Sequence, residues 1–140
     1  MSPATKKSTG LTAEEKAALR ATLKERKLNE DGETAVQGAF AKMTPKDRAL
    51  GKKIHTIVKE AAPDLMPKTW YGMPAYANKD GKIVVFFRDA GKFKERYAML
   101  GFNDSAKLDK GNTWPIAFAV KELTPADEKA IRTLVKKAVS

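Results

Sequence analysis

One change of hydrophobic period constrains this chain more than any other feature. Leu50, Ile54, Ile57, Val58 and Ala61 recur at helical spacing. From about residue 66 the period falls to two. Ile83–Arg88 opens with five consecutive apolar residues, and Trp114, Ile116, Phe118 and Val120 alternate with smaller or polar residues. Helical spacing returns after Thr124, with Ile131, Leu134, Val135 and Ala138. Amphipathic helices on either side of a run of strands bury their apolar faces by lying on a sheet. Short turns between consecutive strands favour an antiparallel meander, because parallel neighbours need long crossovers. The expected fold is therefore α+β, an antiparallel sheet of about four to five strands covered by helices.

Local signals divide the chain further. Met1–Gly10 is polar and lysine-bearing and is expected to be a disordered tail. Residues 11–43 read as a helical N-terminal extension, with a helix over Leu11–Lys27, a break at Leu28–Gly32 and a short helix over Glu33–Met43. Residues 44–140 form the expected α+β domain. Thr44-Pro45-Lys46-Asp47 and Thr124-Pro125-Ala126-Asp127 are both helix starts, with a capping hydroxyl, proline at the first turn and an acid near the positive end of the dipole. Lys68–Tyr76 reads as an extended segment broken at Gly72 and Pro74, with Pro74 suited to an edge or a bulge. Asn78–Gly81 and Asp89–Gly91 read as turns, Lys94–Phe102 and Thr113–Glu122 as strands, and Asn103–Asn112 as a polar loop.

Composition excludes several chemistries. There is no cysteine, hence no disulfide, no thiolate nucleophile and no Cys-ligated metal. The one histidine, His55, lies one residue off an apolar helical stripe and reads as a structural or surface residue. Nothing provides a second imidazole for a transition-metal site. No nucleophile elbow, phosphate-binding loop or dinucleotide fingerprint occurs. No catalytic residue, cofactor or metal ligand is assigned, and the chain reads as a non-enzyme. Asp104 and Asp109 share the polar loop, but turn-forming aspartates are common. No apolar run approaches the ~20 residues that span a bilayer, and no apolar signal core follows the N-terminal residues, so a cytoplasmic chain with no membrane partner is expected. The net charge of +10 is spread evenly, with 13 basic and 8 acidic residues in 1–62 and 14 and 9 in 63–140. No basic arm stands out.

The densest chemistry lies in Lys68-Thr69-Trp70-Tyr71-Gly72-Met73-Pro74-Ala75-Tyr76. Trp70, Tyr71, Met73, Pro74 and Tyr76 can line a ligand groove with Phe86, Tyr97 and Trp114, and Lys68, Arg88 and Arg96 can contact an anion there. Aromatics on strands more commonly pack beneath helices, where buried area alone accounts for them.

Ala62-Pro63-Asp64-Leu65 followed by Trp70-Tyr71-Gly72-Met73-Pro74-Ala75-Tyr76 resembles the YdhG-like family, a bacterial domain of unknown function. Ile83–Phe87, Leu100-Gly101-Phe102 and the C-terminal helix fit the same pattern, so the resemblance covers about residues 45–139. It implies a compact α+β fold with an antiparallel sheet and flanking helices. One branch comprises frataxin-like iron chaperones, a role that implies acidic surface residues; this chain carries +10 instead.

The function expected from the sequence is non-catalytic binding of a small molecule in an aromatic-lined groove. The alternatives are iron handling, nucleic-acid binding through the interleaved Phe93-Lys94-Glu95-Arg96-Tyr97, and protein binding or homodimer formation through the N-terminal helix.

Overall fold

The period change near residue 66 marks the first of five strands. The computed structural model describes residues 11–140, and the tail expected over 1–10 lies outside them. Two long helices come first, α1 (Ala13–Ala41) and α2 (Pro45–Ala61). Strands β1 (Met66–Trp70), β2 (Met73–Ala77) and β3 (Ile83–Arg88) follow, then a single-turn helix α3 (Ala90–Phe93). Strands β4 (Ala98–Phe102) and β5 (Ala117–Val120) precede the last helix α4 (Pro125–Val139). The strands form one antiparallel sheet in the order β1-β2-β3-β4-β5, the meander that short turns dictate.

The helix starts behave as their sequences require. The Thr44 hydroxyl accepts the Asp47 amide at 3.3 Å, and Thr124 and Asp127 form a reciprocal capping box. The α2 stripe of Leu50, Ile54, Ile57 and Val58 is buried against Tyr76, Val85, Phe87, Leu100 and Phe102 from the sheet and Ile131 and Val135 from α4. Each fully buried aliphatic side chain there contributes roughly 1.5–3 kcal/mol. One sheet face is thus covered by α2 and α4.

The chain separates into two compact units, one ending at Glu30 and one running from Asp31 to Ser140. This differs from the expected boundary at 43/44. Val36 and Phe40 of α1 are fully buried in the core of the second unit. Arg48 fixes the end of α1 by donating to the carbonyls of Phe40 and Met43 at 3.1 and 2.9 Å, groups at a helix end that the α-helical ladder leaves free. The expected break at Leu28–Gly32 is absent, and the helix runs on through Gly32. A Cβ at Gly32 would lie 1.9 Å from the Pro67 carbonyl oxygen, so glycine is there for close approach and not to end the helix.

Three strand expectations also change. Lys68–Tyr76 is a hairpin, turning on Tyr71 and Gly72 with φ of 50° and 77°. Two positive φ angles in a two-residue loop suit the twist of the flanking strands. Pro74 lies in the interior strand β2, not at an edge; the β2–β3 register begins only at Ala75, so its missing N–H costs no ladder bond. Asp89 caps α3 by accepting the Lys92 amide, and Lys94 ends it with φ of 54°, so β4 starts at Ala98 and not at Lys94. β5 is confined to Ala117–Val120, leaving Ile116 52% exposed.

Candidate functional site

The hairpin register decides which side chains meet. Trp70 pairs with Met73, Lys68 with Ala75, Ala75 with Phe86, Phe86 with Gly101, and Arg88 with Met99. Because side chains alternate along a strand, these residues share the sheet face opposite Tyr76, Val85 and Leu100. Met73, Ala75, Ala77, Ile83 and Phe86 form a second apolar cluster there, flanked by Trp70 and Met99, and no helix residue belongs to it. Trp70 and Phe86 meet edge to face, centroids 5.2 Å apart at 61°. A Cβ on Gly101 would lie 2.2 Å from the Phe86 Cζ, so the ring lies over the glycine backbone.

At the end of this face the hairpin turn carries Tyr71, 80% exposed and edge-on to Trp70 with centroids 5.1 Å apart. The Lys92 ammonium donates to the Tyr71 carbonyl at 3.3 Å. The Arg88 guanidinium lies 4.9 Å from the Phe93 centroid and pairs with Glu95, and Arg96 lies 5.1 Å over Tyr97.

The structure therefore brings together Trp70, Met73 and Phe86, with Lys68 and Arg88 on the same face and Tyr71 at its end. Tyr76 is fully buried in the main core, Pro74 is fully buried on the same side of β2 by strand alternation, and neither is part of this face. Tyr97 and Arg96 precede β4. Trp114 packs against the main core, beside an open depression of about 700 Å³ that Asp104, Asp109, Asn112 and Ile116 also line. A second depression of about 430 Å³ lies between Ala62–Leu65, Ser105 and Ala138. Trp70, Met73 and Phe86 line neither, so the aromatic site is a sheet face and not one groove gathering all eight residues. Lys92 and Met99 carry no signal in the sequence, and the Phe93-Lys94-Glu95-Arg96-Tyr97 run gives no sign that the helical turn ending at Phe93 will set it beside the hairpin.

Sequence reasoning also missed a buried polar chain. His55 Nε2 lies 2.8 Å from Glu33 Oε2, and His55 Nδ1 lies 2.8 Å from the Tyr76 hydroxyl. Lys59 reaches the other Glu33 oxygen at 2.9 Å. One neutral tautomer satisfies every group: Nε2–H donates to the carboxylate and the Tyr76 hydroxyl donates to Nδ1. Burial lowers the His55 pKa from its ordinary 6.5, against the upward pull of Glu33. Burial raises the Tyr76 pKa, helped by the Glu33 charge. Tyr76 is only 1% exposed, so the chain ties α1, α2 and β2 together and offers no accessible reacting atom.

Among the described residues no group of three or more His, Cys, Asp or Glu side chains is placed to hold a metal ion, and no helix is long and apolar enough to cross a membrane. Comparisons with protein-family models, with curated proteins and with solved structures find no match to this chain.

Proposed function

We propose that this chain is a YdhG-like, non-catalytic binding domain whose ligand rests on the second sheet face, against Trp70, Met73 and Phe86. One observation carries the reading: the Trp70–Phe86 pair belongs to an apolar cluster with no helix residue, beside Lys68 and Arg88. Phe86 is buried and Trp70 is half-buried at the margin of the cluster, so the ligand meets the cluster at the Trp70–Phe86 rings. Their flat rings and neighbouring cations suit a planar, anionic ligand. The α+β meander agrees with the fold that the resemblance implies. The iron-handling alternative draws no support from the arrangement of donor groups.

Intrinsic fluorescence tests this. In a Trp114→Phe background Trp70 is the sole tryptophan, and aromatic anions such as mononucleotides are expected to quench it saturably. Phe86→Ala, checked for folding by circular dichroism, should weaken binding by at least about ten-fold, or 1.4 kcal/mol. A folded Phe86→Ala protein with unaltered titrations removes the site.

A further inference from the structure

Tyr71 occupies a backbone position that its side chain does not favour. With φ of 50°, it lies in the left-handed region, where a residue other than glycine, asparagine or aspartate costs about 1 kcal/mol or more. Asparagine or glycine would form the same two-residue turn without that cost. The ring does not recover it by burial, being 80% exposed. A strained, exposed aromatic at the end of an apolar sheet face is an outlier from which function can be inferred.

Its surroundings indicate what it meets. The same end of the sheet presents Phe93 and Tyr97, 41% and 37% exposed, each beneath an arginine. Lys92 is bound to the Tyr71 carbonyl, and Lys94 is exposed. The one acid in this run, Glu95, is engaged by Arg88. Aromatic rings interleaved with cations bind successive bases by stacking and the phosphates between them by charge. The net charge of +10 adds a long-range attraction for a polyanion.

We propose that single-stranded nucleic acid lies across this end of the sheet, one base stacking on Tyr71 and further bases near Phe93 and Tyr97, with Lys92, Lys94 and Arg96 at the phosphates. The proposal rests on the binding-face reading above and extends it to the end of that face.

The test uses the full chain and a fluorescently labelled oligothymidylate about 15 nucleotides long, within the roughly 4–16-nucleotide sites of comparable binders. Anisotropy at low salt should show saturable binding that weakens steeply as salt rises. Tyr71→Asn should weaken it by roughly ten-fold while melting at the same or a higher temperature. Arg96→Gln should weaken it and reduce the salt slope. Polyphosphate and polyglutamate should compete poorly.

Absence of binding at low salt overturns the proposal. So does equal competition by polyphosphate or polyglutamate, which would mean a general polyanion surface or an acidic protein partner, and so does undiminished binding by Tyr71→Asn. If the oligonucleotide fails while mononucleotides still quench Trp70, only the occupant is wrong; if both fail, the binding face itself falls.

Discussion

The Glu33 carboxylate and the His55 imidazole lie 2.8 Å apart, Oε2 to Nε2, joining the end of α1 to the middle of α2. Through Nδ1 the same ring accepts the buried Tyr76 hydroxyl. His55→Ala would leave that hydroxyl without an acceptor, at a cost of about 1–3 kcal/mol, and open a cavity beside Phe40. A loss of about 3 kcal/mol is expected. Glu33→Gln keeps an acceptor for Nε2–H and should cost about 1 kcal/mol. Urea denaturation with an unchanged m-value measures both. A His55→Ala protein as stable as the parent would remove the chain's structural role.

The same chain sets a pH window. The folded state holds His55 below its ordinary 6.5, so on acidification the unfolded chain takes up a proton that the native state refuses. Stability should be full above 6.5 and fall as pH drops through the lowered folded value. Glu33 extends the acid limb below 4.5. Its partial burial pushes upward, but the Gln37 amide, the Lys59 ammonium and, when charged, His55 together outweigh it. Tyr76 acts in the opposite direction. Its folded pKa is raised above 10, so stability is full below 10 and is lost as pH rises beyond it. Denaturation across pH should show a plateau between these limits, and His55→Gln should flatten the limb just below 6.5. An unaltered limb would assign it to other groups.

Two glycines of α1 should respond to alanine with opposite signs. A Cβ at Gly38 meets nothing within 4 Å, so Gly38→Ala should stabilise by about 0.5–1 kcal/mol through helix propensity. At Gly32 the same change drives a methyl into the Pro67 carbonyl at 1.9 Å. That atom is backbone and has little room to yield, so Gly32→Ala should destabilise by about 1–3 kcal/mol despite the better propensity. Thermal melts of the two variants shifting in the same direction would contradict the packing of Gly32 against β1.

These glycines also mark where the sequence was legible. α2, α4 and β3 were readable because their signals are local: Thr44-Pro45 with the Leu50, Ile54, Ile57 and Val58 stripe, Thr124-Pro125 with Ile131 and Val135, and the Ile83–Arg88 run. The continuity of α1 was not, because Gly32 is explained by Pro67, far along the chain. The gathering of Trp70, Met73 and Phe86 was legible as aromatic density, but the separation of Tyr76 from them was not. That parity follows from a turn at Tyr71–Gly72, and tyrosine is a poor indicator of positive φ. The role of His55 is not legible locally, because its partners Glu33 and Tyr76 lie 22 and 21 residues away.

Gly101 offers a direct test of how the second face is built. Phe86 lies over it with no room for a methyl, and Phe86 in turn supports the edge of Trp70. Gly101→Ala would place a Cβ 2.2 Å from the Phe86 Cζ. The atom displaced is the far end of a side chain, so the ring can swing aside, and the cost should be about 1–3 kcal/mol, short of unfolding. Swinging separates Phe86 from Trp70 and opens the apolar cluster to water. In the Trp114→Phe background the Trp70 emission should therefore shift to longer wavelength, and ligand quenching should weaken as it does in Phe86→Ala. An unchanged emission maximum together with unchanged stability would mean that the ring does not rest on the glycine, and the face would lose the support that holds Trp70 in place.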